Sequence, residues 1–159
     1  MTAEKAALRE MMKQRLRALT AEDRQSLSDE ICENVLQMGR WQEAQSVVLF
    51  SPLPSEPIVT PLKLDCDARK IPEIIIPQNP KSELRLPEQI DLVLVPGLAF
   101  SKDRHRLGRG GGFFDRLLAG PAAGAFKLAV CFSFQVVDAV PTEPRDVALD
   151  AIATEERVL

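Results

Sequence analysis

Arginines, glycines and one aspartate crowd the stretch Arg106-Leu107-Gly108-Arg109-Gly110-Gly111-Gly112-Phe113-Phe114-Asp115-Arg116. Glycines let backbone N–H groups come close to a ligand with no Cβ in the way. The apolar run Leu92-Val93-Leu94-Val95, closed by Pro96-Gly97, precedes this stretch. Leu117-Leu118-Ala119 follows it as a helix that stops at Gly120-Pro121. The expected order is buried strand, loop, glycine-rich turn and helix start, and a helix start adds unpaired N–H donors and a positive dipole end. With Arg106 and Arg109 on the loop, phosphate is the guest this pattern suits. Asp115 has two readings: it complements the helix dipole, or it holds a divalent cation that bridges phosphates. Spacing alone also leaves open a loop that is merely mobile. The stretch is neither a Walker loop, lacking Gly-Lys-Ser/Thr, nor a correctly placed dinucleotide fingerprint.

Other constellations are excluded by composition. His105 is the only histidine, so a Ser-His-Asp or Cys-His mechanism would rest on one residue within an arginine-rich loop. The chain has no tyrosine and a single tryptophan, Trp41, so it offers no aromatic platform for single-stranded nucleic acid. A net charge of −3 and a pI near 5.3 argue against nucleic-acid or anionic-membrane binding, and make local arginine clusters stand out. Cys32, Cys66 and Cys131 have no metal-ligand spacing and are expected as reduced, buried thiols. The segment Met1 to Glu10 is charged from the start, and no apolar run reaches membrane-spanning length. A cytoplasmic location is the expectation.

The elements that must position the loop follow from periodicity. Leu8, Met11, Met12, Leu16 and Leu19 form a helical stripe, with Lys5, Arg9, Lys13, Arg15 and Arg17 interleaved as a basic face. Thr20 and Asp23 make a capping-box-like start for a second helix, which carries Leu27, Ile31, Val35 and Leu36 and is expected to end at Gly39. Val47 to Phe50 reads as a buried strand, and the prolines from Pro52 to Pro57 force a loop after it. Thr60-Pro61 is expected as an N-cap and first helical proline, opening a short helix toward Ala68. Glu56 then lies just past the carboxyl end of a strand, where open α/β sheets place ligands. Ile74 to Ile76, Leu92 to Val95, Lys127 to Phe132 and roughly Val147 to Ala153 complete the strands, with loop structure from Pro77 to Pro87. Strands alternating with helices predict one domain over residues 1–159, a three-layer α/β/α fold with a largely parallel, Rossmann-like sheet.

Taken together, these residues resemble the 5-formyltetrahydrofolate cyclo-ligase family, also called methenyltetrahydrofolate synthetases. Val95-Pro96-Gly97-Leu98-Ala99-Phe100 followed by Arg106 to Arg116 is similar to the family's V-P-G-x-x-F leading to R-L-G-[YR]-G-x-G-[YF]-[YF]-D. Lys5-Ala6-Ala7-Leu8-Arg9 is similar to its N-terminal K-x-x-L-R, and Glu56 to Thr60 to its glutamate and threonine after the first strand. Pro144-Arg145-Asp146 through Glu155 resembles its closing acidic segment. The resemblance implies ATP- and Mg²⁺-dependent closure of 5-formyltetrahydrofolate to 5,10-methenyltetrahydrofolate, with ADP and phosphate released, by a monomer with no nucleic-acid or membrane partner. It implies ATP contacts from Lys5, Arg9, Arg106, Leu107, Gly108, Arg109, Gly110, Gly111, Gly112, Phe113 and Phe114. Glu56, with Arg109, Gly110, Gly111, Gly112 and Phe113, would border the folate. Arg109 would be catalytic, and Asp115 with Asp146 would bind Mg²⁺. The chain departs from the pattern at Phe113 and Phe114, where tyrosines are commoner, at Arg104 in place of a loop glycine, and at Arg145 in place of histidine. A segment from Thr60 to Pro96 shorter than the family's leaves open a second reading, a non-catalytic relative that binds nucleotide or folate.

Overall fold

A computed structural model of the chain describes residues 2–78 and 85–159. Five strands, β1 (Val47–Phe50), β2 (Glu73–Ile76), β3 (Leu92–Val95), β6 (Phe126–Val130) and β8 (Ala151–Ala153), form one sheet in the order β2-β1-β3-β6-β8. All four neighbouring pairs are parallel, which bears out the expected sheet. Parallel sheets covered on both faces read as continuous apolar runs, and β1 and β3 are buried at every position. Edge strand β2 is different, with Ile75 exposed.

Helices α1 (Ala3–Arg17), α2 (Ala21–Leu36), α3 (Gly39–Glu43), α4 (Thr60–Arg69) and α5 (Phe113–Ala119) flank the sheet. Thr2 and Thr20 cap the first two helices, each hydroxyl accepting a backbone N–H three residues on, Asp23 N–H in the second case at 3.0 Å. Met12 and Leu16 of α1 and Ile31 and Val35 of α2 enter the core from the expected stripes, whereas Met11 stays exposed. Three expected boundaries shift. Helix α2 stops at Leu36, and Gly39 opens α3 instead of ending α2, so that Trp41 can be buried with its Nε1–H donated to Asp65 at 2.8 Å. Thr60 is the first residue of α4 and Val59 precedes it as a cap without a side-chain bond; Pro61 is tolerated because N–H groups of the first turn have no helical acceptor. The last strand is only Ala151–Ala153, and just before it Leu149 N–H turns away from the sheet to Arg104 O.

A second, small sheet has no counterpart in the sequence reading. β4 (Ala99–Ser101) pairs antiparallel with β5 (Arg106–Leu107) and parallel with β7 (Val136–Val137). Its hairpin turn runs through Arg104, whose φ of 68° is the left-handed region that favours glycine. That backbone explains why a glycine suits this position. Gln135 Nε2 donates to Gly97 O and Leu98 O at 3.0 and 3.1 Å, tying β7 to the exit of β3. Of the loop expected over residues 77–87, residues 79–84 lie outside the described residues.

Candidate functional site

In the order β2-β1-β3-β6-β8 the chain leaves β1 toward one edge and β3 toward the other, so a crevice opens at the carboxyl ends of β1 and β3. The loop after β1 carries Glu56 and the loop after β3 leads through the β4–β5 hairpin to the glycine stretch. Two cavities meet there. The first, of about 600 Å³, is lined by Glu56, Gln78, Arg109, Gly111 and Phe113, among others. The second, of about 520 Å³, is lined by Lys5, Arg9, Leu107, Gly110, Glu143 and Asp146, among others. Arg106, Gly108, Gly112, Asp115 and Arg116 belong to both walls. A further cavity of about 420 Å³ opens at the amino-terminal ends of β3 and β6, lined by Arg40, Glu43, Glu88 and Asp91, and contains none of these residues.

Arg106 is the partition between the two cavities. Its side chain is 9% exposed, with Nε donated to Pro96 O at 2.6 Å, Nη1 3.4 Å from Asp115 Oδ1, and the guanidinium 5.3 Å above the Phe114 ring. Burial pulls its pKa below the ordinary arginine value; the charges of Asp115 and Glu56 oppose that, and those of Arg109 and Arg9 add to it. Arginine stays protonated through such a shift. The close approach depends on Gly108: a Cβ there would lie 2.8 Å from Arg106 Nη2. Gly110 and Gly112, at φ 108° and 73°, turn the loop through conformations that residues with a Cβ rarely adopt. At Gly111, by contrast, an added Cβ meets nothing within 4 Å.

Among the described residues, two arginines carry buried donors with no acceptor. Arg9 reaches from α1 to donate Nε to Gly108 O at 2.8 Å, and its Nη1 is buried without a partner. Arg109 lies with Nη2 3.5 Å from Glu56 Oε2, while its Nε is buried and unpartnered. A buried donor left unsatisfied costs about 1–3 kcal/mol, and more when charged, so these groups favour any anion that reaches them. Lys5 Nζ instead pairs with Glu143 Oε1 at 3.0 Å, which holds the Glu143 carboxyl below its usual pKa.

Glu56 is buried at 2% exposure. Its own turn positions it: Glu56 N–H donates to Leu53 O at 2.9 Å, and Leu53 N–H donates to Glu56 Oε1 at 2.8 Å. Arg24 of α2 clamps the turn from behind, donating to Glu56 O and Leu53 O at 2.7 and 3.1 Å. Gln78 donates to the same carboxylate. Asp115 is exposed on the first turn of α5, and Asp146 accepts Glu143 N–H at 2.7 Å on one oxygen. Both line the second cavity, each with carboxylate capacity left. Mg²⁺ is commonly held by one or two protein carboxylates with phosphate and water completing the shell, and this donor set fits that pattern. Among the described residues no group of three or more metal-type side chains occurs.

Every residue named from the sequence thus lines one cavity or both, though not all through side chains. Leu107 and Phe114 are core residues at 2% and 5% exposure, so a ligand meets chiefly their backbone. The Phe113 and Phe114 rings pack edge to face at 5.3 Å. Sequence reasoning missed Gln78, Glu143 and Arg116. Glu143, three residues before Asp146 and flanked by prolines, had a detectable signal; Gln78 had none.

The sequence profile of the 5-formyltetrahydrofolate cyclo-ligase family matches residues 68–155, more than half of the chain. The chain belongs to that family. The cyclo-ligase match contains the glycine stretch, Asp115 and Asp146, while Glu56, Lys5 and Arg9 lie outside it. A 5-formyltetrahydrofolate cyclo-ligase of Haemophilus influenzae is 30% identical over 136 residues, spanning 78% of this chain and 69% of the relative. The solved 5,10-methenyltetrahydrofolate synthetase of Mycoplasma pneumoniae matches with a TM-score of 0.81 at 26% identity, covering 96% of this chain and 99% of that structure. That of Aquifex aeolicus matches at 0.80 and 28% identity, covering 97% and 91%.

Proposed function

We propose that this cyclo-ligase converts 5-formyltetrahydrofolate to 5,10-methenyltetrahydrofolate at the expense of ATP. One observation carries the reading: two cavities, one faced by a buried carboxylate and one by cations, share a wall at Arg106 and the glycine loop. Phosphoryl transfer between two bound molecules needs that layout, because positioning and charge stabilisation supply most of its catalysis.

In this reading the triphosphate occupies the second cavity, against Lys5, Arg9 and the loop from Arg106 to Gly112. The folate occupies the first, with its pterin toward Glu56. The formyl oxygen attacks the γ-phosphorus and ADP leaves. The neighbouring folate amine then bonds to the activated formyl carbon and gives up its proton to the departing phosphate, which carries away the former formyl oxygen as the ring becomes the methenyl product. Arg109, beside Glu56 and with its Nε free of any protein acceptor, is the catalytic residue that meets the developing phosphoryl charge. Mg²⁺ held through Asp115 and Asp146 would neutralise phosphate charge. No side chain here need act as a nucleophile.

The short segment between Thr60 and Pro96 does not favour the non-catalytic alternative, since the chain spans 99% of the Mycoplasma pneumoniae synthetase. The direct test is the near-ultraviolet absorbance of the methenyl product from purified protein, ATP, Mg²⁺ and 5-formyltetrahydrofolate. An ATP-dependent rise is expected, and strongly reduced in Arg109→Ala. A wild-type protein that binds both ligands without any such rise would refute the catalytic reading.

A further inference from the structure

Gln78 stands two residues past the end of β2 and lines the first cavity beside Glu56. Its amide is held in one orientation. Nε2 donates to Ser51 O at 3.1 Å and to Glu56 Oε1. A carboxamide nitrogen has two hydrogens, so both are spent, and the carbonyl oxygen is the group left for a ligand. The Glu56 carboxylate is committed in the complementary way. Oε1 already accepts from Leu53 N–H and from Gln78, whereas among the described residues Oε2 has only Arg109 Nη2 at 3.5 Å.

A carboxylate alone is expected to receive two N–H groups of the pterin on its two oxygens. Here one oxygen is filled by the protein. We propose that Gln78 is a specificity-determining residue, which fixes the Glu56 carboxylate and supplies through its own carbonyl oxygen the second acceptor for the substrate. Together Glu56 Oε2 and the Gln78 carbonyl read an edge that carries adjacent N–H donors, such as an aminopyrimidinone with its exocyclic amine beside a ring N–H. A ligand edge presenting an acceptor would face two acceptors and be rejected, because sites built to receive hydrogen bonds discriminate strongly against analogues that lack them. The proposal rests on 5-formyltetrahydrofolate being the substrate, and deepens that reading by naming the second group that recognises it. The residue lies directly after the edge strand of the short middle segment, where the cavity wall is otherwise supplied by the β1 and β3 loops.

The test is calorimetric titration of 5-formyltetrahydrofolate and, separately, of ATP into wild type, Gln78→Met and Gln78→Ala, alongside thermal unfolding and steady-state kinetics. Methionine keeps the length of the side chain and removes the amide. Both variants are expected to weaken folate binding about ten-fold or more, the scale of one lost buried hydrogen bond, with ATP affinity and unfolding temperature unchanged. The folate KM should rise in step while kcat changes little. Folate affinity in Gln78→Met within two-fold of wild type would overturn the proposal and leave the substrate reading intact. Equal losses for ATP and folate, or a marked drop in unfolding temperature, would assign Gln78 a structural role and overturn it too. If wild type binds ATP but no folate, the substrate reading falls and this proposal with it.

Discussion

Replacing Arg9 by methionine separates a phosphate-binding arginine from a structural one. In the free protein Arg9 makes one bond, Nε–H to Gly108 O at 2.8 Å, and buries Nη1 without a partner. Losing the bond costs about 1 kcal/mol, and removing the unsatisfied donor returns about 1–3 kcal/mol, so unliganded stability should hold or rise slightly. The liganded state is another matter. A hydrogen bond to a charged group contributes about 1.5–3 kcal/mol, which converts to roughly ten- to more than a hundred-fold in ATP affinity. With Mg²⁺-ATP at about 100 times the wild-type Kd, ligand stabilisation is about 2.7 kcal/mol; in the variant it falls to about 0.3–1.4 kcal/mol. For a domain of this size that is an ATP-induced rise of about 5–11 °C in wild type against about 1–6 °C in Arg9→Met. Thermal unfolding across an ATP titration measures both quantities at once. A variant that unfolds earlier without ligand yet keeps the full ATP shift would show that Arg9 only braces the loop.

Asp115→Asn should raise the Mg²⁺ requirement for turnover and depress the rate; wild-type turnover at unchanged Mg²⁺ dependence would remove Asp115 from the metal site. Arg104→Gly should raise the unfolding temperature by a few degrees, since a non-glycine residue in the left-handed region costs about 1–2 kcal/mol, partly offset by the freer unfolded chain; a lower unfolding temperature would contradict the strain seen at φ 68°. Burial, with the Asp29 charge adding to it, pushes the Cys32 thiol up to about 12, so the folded state keeps a proton that the unfolded chain releases near pH 9. Stability present below that pH should therefore fall by about 2 kcal/mol between pH 9 and 10.5 on account of Cys32, at about 1.4 kcal/mol per unit. Urea midpoints of wild type and Cys32→Ala across that range measure it, and parallel curves would refute it.

Much of the frame was readable because single physical signals dominate in it. The runs Val47 to Phe50 and Leu92 to Val95 are apolar on both faces, and only a covered parallel sheet makes use of such runs. The loop at Arg106 to Asp115 was readable because glycines, arginines and a carboxylate coincide. What escaped detection lacked a dominant signal. β5 and β7 are two residues long, too short for alternation to register, and they exist because the β3 exit and Gln135 hold them in place. Gly39 sits where a helix C-terminus is expected, yet burying Trp41 against Asp65 favours a new turn of helix. Gln78 is a polar residue in a proline-rich stretch, and its role is visible only when the end of β2 is brought beside Glu56.

The free site is arranged as three cation–carboxylate contacts: Lys5 with Glu143 at 3.0 Å, Arg106 with Asp115 at 3.4 Å, and Arg109 with Glu56 at 3.5 Å. Each contact is looser or more exposed than a well-formed buried pair, apart from the nearly inaccessible Glu56 carboxylate. In a protein of net charge −3 this balance has a purpose that isolated basic residues would not serve. A cluster of Lys5, Arg9, Arg106 and Arg109 without carboxylates would repel itself and be costly to bury. Carboxylates without the cations would repel triphosphate. In the proposed reading, entry of a metal-bound triphosphate would let the partners exchange, with lysine and arginine turning to phosphate oxygens and Asp115 to the metal. Charge in the cavity would then stay close to balanced before and after binding. The unpartnered Nη1 of Arg9 and Nε of Arg109 would gain acceptors without any protein bond being broken. On that reading the free energy of binding would come mainly from those two donors and the backbone N–H groups of the loop, because each exchanged pair would give up one favourable contact for another. Arg9, whose existing bond to Gly108 also holds the loop that lines both cavities, is therefore expected to carry more of the discrimination between bound and free states than Lys5.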